Sequence, residues 1–170
     1  MAPDLGIDVE TFKKECRLFE LLDEAGRLRM MEAAEPALYA DGDTIVREGD
    51  PGTSMFVIRK GGVRVVIEAL EGEKEVARLG AGSFFGEMAV VLGEPRSASV
   101  IADGAVDAWC FGKLPIDAIL LDYPKVREVL ARLSLKRSEM TLEKMLETDD
   151  SAAFADSDDD SVDDDETGDP

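Results

Sequence analysis

The sequence predicts a mixed, mainly β fold: a sandwich or barrel of short strands with helices at both ends. Between Pro36 and Phe111 apolar residues recur with a period of two, and turns rich in Gly and Asp cut that stretch into short runs. On either side the period returns to three and four. No helical pattern intervenes between the strands of the β-rich stretch, which excludes a doubly wound parallel sheet.

The first helix is carried by Val9, Phe12, Cys16 and Phe19, with Lys13, Lys14 and Glu20 between them. Gly26 is expected to interrupt it, leaving a second short helix from about Leu28 to Ala34 that stops before Pro36. Leu18, Phe19, Leu21 and Leu22 form a helical cap for the strands that follow. Those strands are expected at Thr44–Arg47, Met55–Ile58, Val63–Ile67, Glu75–Leu79, Ser99–Ala102 and Asp107–Phe111. Turns separate them at Asp41-Gly42-Asp43, Gly49-Asp50-Pro51-Gly52, Gly61-Gly62, Glu71-Gly72-Glu73 and Gly80-Ala81-Gly82. After Gly112 a helix over Leu114–Leu121 halts at Asp122-Tyr123-Pro124, and Pro124 starts a longer one running to about Glu147. Its apolar face shifts from Val126, Val129, Leu130 and Leu133 to Leu135, Leu142, Met145 and Leu146, which implies two packing partners or a solvated end.

Composition narrows the function. A chain of 170 residues, 45% of them apolar, makes one domain with a real core. The net charge is −19, and 11 of the 38 acidic residues lie between Asp149 and Pro170, where there is no Lys or Arg. The rest of the chain therefore carries 27 acids against 19 bases, a net of −8. That balance argues against nucleic acid and against anionic membrane surfaces, both of which need clustered bases. No run approaches the roughly 20 apolar residues that span a bilayer, and no basic-then-apolar leader opens the chain, so a cytoplasmic location is expected. Cys16 and Cys110 have no metal-like spacing and read as apolar thiols. With no His at all, imidazole bases, the Ser-His-Asp arrangement and His-ligated metals are excluded. The alternating Asp156, Asp158 and Asp160 lack the central Gly and the terminal Glu of a calcium loop. No cofactor or metal is expected, and no nucleophile–base pair assembles by pattern, so the chain is not read as an enzyme.

Phe84-Phe85-Gly86-Glu87-Met88-Ala89-Val90-Val91-Leu92-Gly93-Glu94-Pro95-Arg96-Ser97-Ala98-Ser99 is the most informative stretch. Taken singly, its Gly-Glu pair is an ordinary turn and its Pro-Arg an ordinary strand start. Together they offer one acid and one Arg nine residues apart, with room for a helical turn between them. A guanidinium donates paired, charge-assisted hydrogen bonds to phosphate oxygens, a carboxylate accepts from a sugar hydroxyl, and amides from about Gly86 to Ala89 favour an anion.

This stretch resembles, position by position, the phosphate-binding cassette of cyclic-nucleotide-binding domains. The resemblance extends through Gly42-Asp43-x-Ile45, Glu48-Gly49-Asp50, Met55-Phe56-Val57-Ile58, Gly61-Gly62-Val63-Arg64-Val65 and Gly80-x-Gly82-x-x-Phe85-Gly86-Glu87, and so covers residues 15–147. It implies an eight-stranded jelly-roll β-barrel with N-terminal helices and C-terminal helices of the family's B/C type. An N-terminal extension (1–14) and an acidic, disordered tail (148–170) fall outside it. By that similarity Glu87 holds the ribose 2′-hydroxyl and Arg96 the cyclic phosphate. Gly86, Met88, Ala89, Ser97 and Ala98 complete the ligand-binding set. The last helix would supply the base lid, with Leu130, Leu133, Lys136 and Arg137 as candidates. The Pro-Arg-Ser-Ala segment is similar to bacterial channel-type domains that take cAMP, whereas a hydroxyl after the Arg suits cGMP, so cAMP is preferred with cGMP also bound.

The resemblance implies a stand-alone sensor that rearranges its C-terminal helix on binding and acts on a protein partner in trans. Two alternatives stay open: a ligand-free interaction module on the same fold, and a sensor of another nucleotide such as a cyclic dinucleotide. The acidic tail is either a solubilising segment or an electrostatic competitor of the ligand.

Overall fold

The computed structural model describes residues 8–144, and the chain divides into two compact units, Met1–Leu135 and Lys136–Pro170. In the first unit, α1 (Val9–Glu15) begins at Asp8, whose carboxylate accepts from the Thr11 amide at 2.8 Å. The chain leaves the helix at Cys16 in extended geometry and makes a 3-10 turn over Arg17–Leu21. Asp23 then caps α2 (Glu24–Ala33) by accepting from the Gly26 amide at 2.8 Å. The helix break expected at Gly26 therefore lies at Cys16, and Gly26 sits inside the first turn of α2. Glycine is needed there for closeness: a Cβ would lie 2.7 Å from Cζ of Tyr123, whose hydroxyl donates to Asp23 Oδ1 at 2.6 Å.

Six strands follow: β1 (Glu35–Tyr39), β2 (Thr44–Val46), β3 (Ser54–Ala69), β4 (Gly72–Leu79), β5 (Phe84–Phe85) and β6 (Ser99–Gly112). They form one antiparallel sheet with the order β1-β6-β3-β4, in which β2 also pairs with β6 and β5 with β3. The closed eight-stranded barrel is thus not what the sheet forms among the described residues: six strands are present and no pairing closes it. The difference lies in two glycines. Gly61-Gly62, expected as a turn, falls inside β3, where Gly61 takes φ +90° and the register with β6 shifts between Ile58 and Gly62. Asp103-Gly104, for which no turn was expected, lies inside β6, with Gly104 at φ +83°. Each long strand joins two of the expected short ones. Conversely, β1 was not expected, because Glu-Pro-Ala-Leu-Tyr carries a Pro and a mostly exposed pattern. It is tolerated at the end of the strand order, opposite β6.

Alternation along β3 splits the core. Met55 and Val57 point into a cluster with Phe12, Phe19, Leu22, Trp109, Phe111, Ile119 and Leu130, the helical side of the sheet. Phe56 and Ile58 point the other way, onto Val63, Phe85, Val100 and Ala108. Phe12 stacks on Phe19 at 4.4 Å between ring centroids, and Phe56 on Phe85 at 4.9 Å. The core reaches back to Phe12, fully buried in the stretch assigned by sequence to an N-terminal extension. On the C-terminal side, α3 (Glu87–Leu92) and α4 (Lys113–Asp122) flank β6, and residues 124–135 are helical. In the second unit residues 136–144 are helical, with the Thr141 hydroxyl donating to the Arg137 carbonyl at 3.0 Å. The acidic tail and the last turn expected up to Glu147 lie outside the described residues. Among those residues, no helix is long and apolar enough to cross a membrane.

Candidate functional site

Local geometry in the cassette follows from two glycines. Gly86 ends β5 and caps α3 at φ +86°, a left-handed backbone that side chains strain to adopt. Gly93 closes the six-residue helix in the same conformation, its amide donating to the Ala89 carbonyl. The turn between them places Ala89 and Val90 inward and puts Glu87, 2% exposed, at its first position.

Arg96 returns the chain towards the start of this turn. It is 8% exposed, donating from Nη1 to the Gly86 carbonyl at 3.2 Å and from Nη2 to Ser54 Oγ at 3.3 Å. Its backbone is pinned too: the Arg96 amide donates to the Asp50 carbonyl and its carbonyl accepts from Gly49, both at 2.8 Å. Two glycines leave room for the guanidinium. A Cβ on Gly52 would meet the Ala89 methyl and come within 2.9 Å of Arg96 Cζ, and one on Gly86 would lie 2.7 Å from Nη1. Burial pulls the Arg96 pKa below its ordinary value, opposed by the neighbouring Cys110, Glu87 and Asp50. The group nonetheless stays cationic, as arginine does in proteins.

The structure therefore brings Gly86, Glu87, Ala89 and Arg96 together as one buried, oppositely charged cluster. Met88 and Ser97 meet across its rim, the Ser97 hydroxyl lying 3.7 Å from the Met88 sulfur. Ser97 is exposed and Ala98 half-buried. The lid candidates are placed differently. Leu130 is buried in the helical cluster with Leu18, Leu22 and Ile119, and Leu133 packs against that cluster. Lys136 and Arg137 belong to the second unit. Sequence reasoning missed Gly52, which it read as a turn residue, and Ser54, which it left unassigned. Nothing local marks them, since the Ser54–Arg96 contact spans 42 residues.

Chemically, the cluster presents a cation at the start of α3 and, nearby, a carboxylate able to accept a hydrogen bond from a hydroxyl. That suits an anion joined to a hydroxylated group. Among the described residues, no group of three or more His, Cys, Asp or Glu could hold a metal ion.

Comparison with known proteins agrees with this geometry. The sequence profile described as "Cyclic nucleotide-binding domain" matches residues 37–123. A cAMP-dependent protein kinase regulatory subunit from Hypocrea atroviridis is 35% identical over 111 residues, 65% of this chain and 23% of that protein. The catabolite activator protein of Thermus thermophilus superposes with a TM-score of 0.66 at 30% identity, over 77% of this chain and 62% of that one. The regulatory subunit of a cAMP-independent protein kinase A from Trypanosoma brucei was solved as a triple variant with cAMP in its A site. It superposes with a TM-score of 0.71 at 25% identity, over 81% of this chain and 50% of that one. The chain thus spans under a quarter of its curated relative and about half of the kinase regulatory chain.

Proposed function

The chain belongs to the cyclic nucleotide-binding domain family, and on that footing we propose that it is a cyclic-nucleotide sensor whose ligand sits on the Gly86–Ser97 cassette. The carrying observation is the buried Arg96, aimed at the start of α3 between Gly52 and Gly86, with Glu87 buried nine residues before it. Burying an arginine and a carboxylate costs several kcal/mol per ion, on the order of what only good pairing repays. A cyclic phosphate on Arg96 and a ribose 2′-hydroxyl on Glu87 would match this pair of buried charges in sign and hydrogen-bonding chemistry. Met88, Ala89, Ser97 and Ala98 line the remaining edge.

The proposed output is regulatory and not catalytic. Val90 of α3 and Leu130 share one apolar cluster, so a ligand that tightens the cassette shifts the packing of the helix that carries Leu130 and Leu133. That population shift would present a surface to a protein partner in trans, from a cytoplasmic location. cAMP is the preferred ligand and cGMP a second, the exposed Ser97 hydroxyl being available to a guanine amino group.

Calorimetric titration with cAMP, cGMP and 5′-AMP tests the reading. Both cyclic nucleotides should bind at micromolar or tighter affinity, cAMP the tighter, and 5′-AMP should not compete. Folded, ligand-stripped protein that gives no heat with either cyclic nucleotide would overturn it in favour of a ligand-free interaction module.

A further inference from the structure

The guanidinium of Arg96 is held at both ends. Gly86 O fixes Nη1, but a main-chain carbonyl on a glycine permits rotation about the side chain; the second contact, Nη2 to Ser54 Oγ, decides its plane. Ser54 opens β3 opposite Gly112 of β6, and Phe56 lies opposite Cys110. Ser54 and Cys110 are therefore diagonal neighbours on one face, within side-chain reach. A serine that accepts from Nη2 keeps its own proton to donate, and Cys110 Sγ is the partner on that face. The thiol accordingly feels both groups: burial pushes its pKa up, while the Ser54 hydroxyl and the Arg96 charge oppose that shift.

We infer that Ser54, with Cys110 behind it, is a positioning residue that sets the plane of the Arg96 guanidinium and so which exocyclic oxygen of a cyclic phosphate meets Nη2. The inference rests on the functional reading above and adds a specificity device to it. The relay runs Cys110, Ser54, Arg96, ligand, with Ser54 never touching the nucleotide itself. It also ties cyclic-phosphate recognition to a strand far from the cassette in sequence.

Two readouts test it. The first uses the two phosphorothioate diastereomers of cAMP, each with sulfur in place of one exocyclic oxygen, titrated into wild type, Ser54→Ala, Ser54→Thr and Cys110→Ala. Losing one hydrogen bond to a charged group should weaken cAMP binding about 10- to 150-fold in Ser54→Ala. The ratio between diastereomers should change with it, Ser54→Thr should restore both, and Cys110→Ala should move them less in the same direction. The second readout needs no ligand: nitrogen-detected NMR of the Arg96 guanidinium should show hindered rotation in wild type and free rotation in Ser54→Ala. An equal loss for both diastereomers with unmoved Arg96 signals makes Ser54 mere packing and overturns the inference. If wild type takes no cyclic nucleotide, the functional reading fails, and the guanidinium rotation still decides whether Ser54 positions Arg96.

Discussion

The helical cluster and the charged pair of the cassette are both buried, but by opposite means. Around Phe12, Phe19 and Trp109 the interior is aromatic and aliphatic, and the charged groups at its edge are paired outside it. Arg59 lies 4.3 Å over the Trp109 ring and bonds Glu15 at 3.1 Å. In the cassette the charges themselves go inside: Glu87 and Arg96 are 2% and 8% exposed. The first region gains from every residue it buries, whereas the second carries a desolvation cost for each charge that polar contacts must offset. That contrast sets the region that holds this protein together apart from the region proposed to bind a nucleotide.

Substitutions should respect that division. Phe12→Ala, emptying a fully buried site, should cost about 3–5 kcal/mol of stability by denaturant unfolding, yet leave nucleotide affinity unchanged in protein that remains folded. An affinity loss would break the contrast. Gly86→Ala should do both kinds of damage, because φ +86° is strained for a side chain and the new methyl meets Nη1 of Arg96. About 1–3 kcal/mol of strain is expected, with weakened ligand binding on the same titration. Arg59→Ala should be milder, about 1–2 kcal/mol of stability from its cation–π and ion-pair contacts, and visible as a change in Trp109 fluorescence.

The smallest effect concerns pH. The Tyr123 hydroxyl, then the Gly26 amide, hold the Asp23 carboxyl below its ordinary value of 3.8. The folded state then binds fewer protons than the unfolded one, so this contribution is complete above pH 3.8 and fades as pH falls through the lowered value. Urea midpoints followed downward in pH should fall less steeply for Asp23→Asn than for wild type. An identical acid limb would remove Asp23 from the account.

Much of this division was legible in the sequence, for reasons that also explain the misses. Glu87 and Arg96 stood out because both sit in one short segment with their turn glycines. The strands were located by alternation, and the stop at Tyr123-Pro124 by proline chemistry. Glycine misled where its two uses look alike. Gly42 and Gly72 turn the chain, but Gly61, expected to do the same, bends a strand that continues, and only pairing partners across the sheet distinguish the cases. Gly26 was misread because its reason is the ring of Tyr123, 97 residues away in sequence. Gly52 and Ser54 escaped on the same ground, as their role exists only once Arg96 is brought against them.

The most direct test of the central claim is calorimetric titration of Arg96→Ala beside wild type with cAMP, folding of the variant being checked by circular dichroism. Truncating one partner of a buried charge pair should cost about 2–5 kcal/mol, or roughly 30- to 4,000-fold in affinity. A folded variant that binds within threefold of wild type would contradict the assignment of the phosphate to Arg96.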